Sequence, residues 1–441
     1  MRTKREHPQP QLRLLPPLET LIPEDYYLRR LNRVLDLSFV HAAVADRYSE
    51  CGRPSVDPEV IIRLFLLQAI DGISSVRALM QRVQVDLAYR WFIGYEIDEA
   101  LPDHSTLSKA LDRFGDAVFN ELFARSIAQC RASGLVSGKL LHVDATTIRA
   151  DVDAATVGHV NCADADARFG KFPGRRTAPG YKQHTVVDDR SRVIVGLTVT
   201  PANRSEHDEA LTVLDQAVAH AGQTPEAVCG DAAYASGEHR AACEQRGIRL
   251  VSPPPQVPKR ALFTVDDFAY DDSLDVFICP NGKRLSYIGG VSARPKQRRY
   301  AAARSTCRRC PLKERCTTSA RRQLKMGSSP AALQRLRADS QTAEFKALYR
   351  RRAPVIEGIF AEAKQWHGLR RAWRRGLRKM KIQCWLVSAV LNFRRLMALV
   401  PHLGLSPAVP SLLNALRSIA GALRRLPLME RPIIAPQWIW R

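Results

Sequence analysis

The stretch LLHVDATTIRAD, residues 140 to 151, constrains the fold more than any other part of the chain. Four of its first five residues suit a buried strand, and Asp144 stands where that apolar run ends. A carboxylate in such a place is either a turn residue or the first member of a metal site. Downstream come YKQHTVVD, a polar DRSR turn and VIVGLTVTPAN, which read as a hairpin with β-branched residues flanking Asp189–Arg192. EHDEALTVLDQAVAHAG then reads as an amphipathic helix, PEAVCGD as a short strand and SGEHRAACEQRG as another helix. Strand, hairpin, helix, strand, helix is an α/β layout, with carboxylates Asp144 and Asp231 where two strands end.

The flanks have a different texture. Residues 17 to 135 show apolar positions at spacings of three and four and read as mostly helical. Asp57-Pro58 suits a helix start, with Asp57 as cap, and the Asp103–Ser105 cluster suits another. Arg63, Arg77 and Arg82 make this region either a DNA-binding or a dimerisation bundle. Residues 253 to 335 are rich in Pro, Asp, Arg and Cys and read as an insertion, and helical periodicity returns at 341 to 400. The expected division is a helical domain over 1–135, a first catalytic part over 136–252, and the insertion over 253–335. A second catalytic part over 336–400 and a tail over 401–441 complete it. At 441 residues each part has enough chain around it to bury a core.

Charge narrows the partners. The net charge of +23 points to a polyanion, of which nucleic acid is the commonest. No run of 18 apolar residues suggests a membrane span, and the N-terminus lacks a signal-peptide pattern, so a cytoplasmic location is expected. The cations are densest after Glu362, where no acidic residue follows until Glu430. Lys364, Arg370, Arg371, Arg374, Arg375, Arg378, Lys379 and Lys381 fall in that run, which suits contact with DNA phosphates. Trp366 and Trp373 interleave with it, as core residues, as packing for the arginines or as stacking platforms.

A third carboxylate lies in APVIEGIFAEAKQWHGLRR. At about 100° per residue, Glu357, Ala361 and Lys364 share one helix face beside an apolar stripe of Ile356, Ile359, Phe360 and Ala363. Glu362 falls about 140° from Glu357, which favours Glu357. Three carboxylates from two strand ends and a helix can hold hard divalent cations. Two such ions about 4 Å apart can serve an in-line phosphoryl displacement.

The set LLHVDATTIRAD, GDAAYAS and VIEGIFAEAK, followed by GLRRAWRRGLRKMKIQ and LNFRRL, resembles the DDE transposases of bacterial insertion sequences. DPEVIIRLFLLQAIDGISSVRAL, RWFIGYE and LPDHSTLSKALDRF resemble that family's helical domain, so the likeness covers about residues 40 to 400. It implies a ribonuclease H-like mixed sheet flanked by helices, with an all-α N-terminal domain and a small Cys-rich insertion. It also implies that Asp144, Asp231 and Glu357 are catalytic and hold two Mg²⁺ or Mn²⁺ ions. Tyr349, Arg352, Glu357 and Lys364 reproduce a signature of the superfamily, except that four residues rather than three separate Arg352 from Glu357. Lys182 and His184, in a family-like GYKQH stretch, either face substrate phosphate or lie exposed on the hairpin.

The implied activity is binding of the terminal inverted repeats of an insertion sequence, with metal-dependent cleavage and transfer of DNA strands near the bacterial nucleoid. The family assembles two element ends and a target, so a homodimer or larger synaptic assembly is implied. A non-catalytic DNA-binding descendant and a ribonuclease H-like nuclease are the alternatives.

Cys279, in FICPNGKRL, and Cys307, Cys310 and Cys316, in CRRCPLKERC, can supply a tetrahedral thiolate site for a structural Zn²⁺. Some transposases of the family carry a similar Cys-rich insertion; free thiols are the alternative. Cys51, Cys130, Cys162, Cys229, Cys243 and Cys384 are scattered and read as small apolar residues.

Overall fold

The computed structural model describes residues 16–49, 54–254, 262–291 and 294–398. Cys51 and the expected tail over 401–441 lie outside the described residues.

The N-terminal region is helical. Its central element, Pro58–Ile70, buries eleven of its thirteen residues. Asp57 caps it by accepting from the Glu59 N–H at 2.8 Å, with Pro58 in the first turn, as the sequence suggests. Asp103 caps His104–Phe114 in the same way. Arg63 is half-buried; it donates to Asn32 and to the Phe92 carbonyl and lies over the Phe92 ring.

The first sheet is built on β1 (Leu140–Arg149). β2 (Arg168–Lys171) and β4 (Ile194–Pro201) both pair with one edge of β3 (Thr177–Asp188), whose other edge pairs antiparallel with β1. On its far side β1 runs parallel to β5 (Ala227–Cys229), and β5 parallel to β6 (Arg249–Val251). An antiparallel meander on one side of the first strand and two parallel strands on the other is the ribonuclease H-like arrangement. The hairpin, the helix Glu206–Ala221 and the helix Gly237–Gln245 follow the sequence pattern. β2 and β6 do not, being only a few residues long.

Residues 262 onward form a second, antiparallel sheet in simple order. It comprises β7 (Ala269–Asp271), β8 (Val276–Ile278), β9 (Arg284–Val291), β10 (Arg294–Ala301) and β11 (Gln323–Met326). This region has a core of its own, in which Phe268, Phe277, Leu285, Tyr300 and Leu324 pack together. Read from its composition it seemed poor in apolar residues; the structure instead draws them to one face of a sheet. The helix Pro330–Ser340 leads out of it and runs across position 335.

Helices Arg352–Trp366 and Leu377–Met397 close the molecule. The second is buried almost all round, against Ala117–Ala132, Pro58–Ile70 and β4. Inside it, Asn392 is fully buried and behaves like a strand residue. Its carbonyl accepts from the Ile194 N–H at 2.8 Å, and its amide donates to the Ile194 carbonyl at 3.0 Å and to Ser126 at 3.1 Å. Edge strand, helical domain and C-terminal helix thus share one side chain. No helix among the described residues is long and apolar enough to cross a membrane.

The loop after Arg352–Trp366 joins the two parts. Gly72 and Gly368 both take positive φ, and a Cβ on Gly72 would stand 2.8 Å from the Gly368 nitrogen. Beside them His367, 1% exposed, donates from Nδ1 to the Ala69 and Ile70 carbonyls, while its Nε2 accepts from Arg394 at 3.1 Å. Burial first, and then the Arg394 charge, pushes its imidazole down to about 4.

Two outcomes follow for stability. Asn392→Ala strips buried partners from Ile194 and Ser126 and is expected to cost about 2–4 kcal/mol, read from the urea midpoint. An unfolded histidine titrates near the ordinary value of about 6.5, so the unfolded chain takes up a proton that folded His367 refuses. Stability is therefore full above about pH 6.5 and declines as pH falls toward 4, His367 contributing on the order of 3 kcal/mol to that loss. Denaturant melts across this range measure it.

Candidate active site

The parallel pairing of β1 with β5 sets the site. It places His142 opposite Cys229, so Asp144 and Asp231, each two residues further along, lie at one level. Asp231 stands just past the end of β5, whereas Asp144 stands within β1, which runs on to Arg149 instead of ending at the carboxylate as the sequence pattern suggests. Asp144 follows four buried residues and is itself half-buried. One of its oxygens accepts from the Ala145 N–H at 2.8 Å, and the other lies 2.7 Å from the Arg352 guanidinium. Burial pushes its carboxyl up to about 6; Arg352 and the Ala145 N–H pull the other way, while Asp231 and Glu206 add to the rise. Asp231 is a turn cap as well, accepting from the Ala233 N–H at 2.9 Å. That uses one oxygen and leaves the other for the site.

The third carboxylate in this group is Glu206. Asp144, Asp231 and Glu206 each offer an oxygen, and the three oxygens lie within 4.8 Å of one another. Glu206 opens the helix after β4, behind a Ser205 cap that accepts from the His207 N–H. Lys182 holds it at 3.1 Å and also donates to the Arg204 carbonyl. The sequence gave only a weak signal for Glu206: an acidic residue in the first turn of a helix, where a dipole-favoured carboxylate is ordinary.

Glu357 does not stand within that group. It is exposed on the helix Arg352–Trp366, five residues after Arg352. Lys364 lies two turns further along the same helix face. Burial and Arg370 lower the Lys364 ammonium while Asp144 opposes them. Glu362 is accounted for elsewhere, held by Arg394 at 2.6 Å and Arg395 at 2.7 Å. Arg352, whose spacing departs from the superfamily signature, is buried and ion-paired to Asp144.

The hairpin pair splits. Lys182 faces Glu206, whereas His184 is fully buried against Thr200 and its imidazole is pushed down to about 4, by burial and then by Lys182. Neither is an exposed hairpin position.

The cationic run is not free of counter-charges, as its sequence suggested; they arrive from distant segments. Arg371 pairs with Asp151 at 2.5 Å, Arg375 also approaches Asp151, and Arg378 and Lys379 share Asp112. Arg374 lies over the Phe65 ring and burial pushes it down to about 10. Arg370 is exposed beside the site, where the Arg149 N–H donates to its carbonyl and the Ala372 N–H to that of Arg149. Lys364, partly buried, and Arg370, exposed, have no carboxylate partner among the described residues. Trp366 is 60% exposed, and Trp373 packs against the core.

Cys279, Cys307, Cys310 and Cys316 gather at one end of the second sheet. Backbone N–H groups of Lys283 and Arg322 donate to Cys279 and Cys307, and the Asn281 amide donates to Cys310. Burial raises the Cys316 thiol, Arg322 lowers it, and the other three cysteines raise it further. Among the described residues no three of these sulfurs come within 4.8 Å of one another. Cys130, Cys229, Cys243 and Cys384 are buried, and Cys162 is half-buried.

Two family models match the chain. One, described as a transposase domain (DUF772), covers residues 16–113, and the other, a transposase DDE domain, covers residues 278–397. The second includes Glu357 and the cationic run; Asp144 and Asp231 lie between the two matches. No curated protein matches. Likenesses to solved structures are distant. A piggyBac transposase synaptic complex with hairpin DNA shares 12% identity over 88% of this chain and 76% of that one, with a TM-score of 0.35. A simian T-cell lymphotropic virus intasome in complex with the PP2A regulatory subunit B56 gamma shares 24% identity over 28% of this chain, with a TM-score of 0.18. The match spans 34% of that intasome chain. Scores this low carry no weight. The two family matches fall on either side of the sheet that brings Asp144 and Asp231 together, and over residues 16–113 and 278–397 they make the chain similar to a transposase domain and a transposase DDE domain.

Proposed function

We propose that the protein binds the terminal inverted repeats of its own insertion sequence and catalyses metal-dependent cleavage and transfer of DNA strands. The observation that carries this is the parallel β1–β5 pairing, which delivers Asp144 and Asp231 to one level of the sheet in a chain matched by a transposase DDE domain.

The donor set fits a hard divalent cation such as Mg²⁺ or Mn²⁺: carboxylate oxygens close together, and a carboxyl at Asp144 held up by burial and like charges that a cation would relieve. Such an ion supplies positive charge to polarise a phosphodiester and to favour the deprotonated form of the attacking hydroxyl or water. Asp144 and Asp231 hold it from the sheet, and Glu357 joins from the helix face that also bears Lys364. Arg352 fixes the Asp144 carboxylate and, through it, the distance of the helix from β1. Lys364 and Arg370 neutralise the phosphate brought to the carboxylates. Arg371, Arg374, Arg375, Arg378 and Lys379 extend the DNA contact, with those now paired to Asp151 and Asp112 exchanging carboxylate for phosphate. A homodimer or larger synaptic assembly holds the two element ends and the target, which sets the protein at the nucleoid. The four cysteines at one end of the second sheet are the candidate ligands of a structural Zn²⁺, a reading supported by the N–H groups directed at Cys279 and Cys307; their sulfurs would have to draw together to form the tetrahedral site.

The test is cleavage of labelled element-end DNA with Mg²⁺ or Mn²⁺. Wild type is expected to nick at the element boundary, and Asp144→Ala to lose activity by roughly a thousandfold or more while binding DNA within a few-fold. If both proteins bind and neither cuts with any metal, the protein is a binding module only. Metal analysis of the purified chain is expected to find about one zinc per chain, lost when Cys307 and Cys310 become Ser.

A further inference from the structure

We propose that Glu206, rather than Glu357, is the third carboxylate ligand of the divalent-cation site in the DNA-free protein, with the Tyr234 hydroxyl turned into that site. The inference deepens the reading of Asp144 and Asp231 as metal ligands and rests on it.

Glu206 stands with those two aspartates, their oxygens within 4.8 Å of one another, while Glu357 stays outside on an exposed helix face. Its position is built rather than incidental. The chain leaves β4 at Pro201, and the Ser205 cap starts the helix so that Glu206 is its first residue. Lys182, only 14% exposed, reaches across from β3 to hold the carboxylate and anchors itself on the Arg204 carbonyl. The same ammonium holds the Glu206 carboxylate at 3.1 Å, beside the aspartates.

A second observation, independent of the acidic group, points to a ligand there. Tyr234 is 2% exposed and its hydroxyl has no hydrogen-bond partner. Its ring is fixed by packing on Gly230, the residue before Asp231, where a Cβ would lie 3.0 Å from it. The turn Ala232–Tyr234, which Asp231 caps, packs against the helix that Glu206 opens, so Tyr234 lies between the two carboxylate-bearing segments in the chain's packing. A buried phenol left without a partner is costly, and the water shell of a hard cation offers strong donors to its oxygen.

Mn²⁺ titration of the full chain without DNA, followed by the loss of the free-ion electron paramagnetic resonance signal, tests this. Glu206→Gln is expected to weaken Mn²⁺ binding roughly tenfold or more, and Glu357→Gln to change it less than about twofold. Lys182→Met removes the other half of the ion pair but leaves the carboxylate; it is expected to tighten binding, because the ammonium no longer competes with the cation. The proposal is overturned if Glu206→Gln binds as wild type does, or if Lys182→Met weakens binding as much as Glu206→Gln, which would make the effect one of lost packing. Asp144→Asn separates the two readings: if it leaves Mn²⁺ binding untouched, the metal-site reading itself fails, whatever Glu206 does.

Discussion

The site depends on one guanidinium. Three carboxylates crowded within a few ångströms repel one another, and partial burial raises that repulsion because less water screens it. Arg352 answers it at Asp144 and Lys182 at Glu206. Arg352 does not fully compensate, since the Asp144 carboxyl still rides up to about 6. That residual strain is what gives a divalent cation something to gain. The pair also has a mechanical side. Arg352 is the first residue of its helix and Asp144 the fifth of β1, so the contact fixes where the helix begins relative to the sheet. Ile356, Ile359 and Ala363 then fill the interface along its length.

Topology does the rest. Of the strands beside β1, only β5 runs parallel to it; it ends opposite His142 while β1 runs on to Arg149, so the chain after β5 emerges beside Asp144. The hairpin β3–β4 brings its chain back toward that same end, so the helix after it also starts there. Glu206 is a consequence of this connection and of the short link from Pro201 to the Ser205 cap. One sheet edge therefore supplies two aspartates by strand register and a glutamate by helix start.

The parts visible in the sequence were those governed by local rules. Asp57 and Asp103 cap helices because their side chains meet N–H groups two residues on, and the hairpin followed from β-branched runs about a polar turn. Asp144 and Asp231 were visible through the resemblance of LLHVDATTIRAD and GDAAYAS to the family's motifs, because a carboxylate at the end of an apolar run is by itself ordinarily a turn or cap residue. What escaped depended on partners far along the chain. The run from Lys364 to Lys381 looked uncompensated because Asp112 and Asp151 lie more than 200 residues before the cations they meet. Glu206 looked like any first-turn acid until Lys182 and the aspartates came around it. The Cys-rich segment appeared coreless because its aromatics are spread thinly, and only β-pairing gathers Phe268, Phe277 and Tyr300.

The meeting of Gly72 with Gly368 has a mechanical meaning. The turn after Pro58–Ile70 and the loop after Arg352–Trp366 touch backbone to backbone, with no side chain between them to yield. His367 locks the same seam through two carbonyls at the end of the Pro58–Ile70 helix, and three residues later the loop is hydrogen-bonded to the end of β1. The end of the Pro58–Ile70 helix, the end of the helix that bears Glu357 and the end of the strand that bears Asp144 are thereby held to one another through a single short loop.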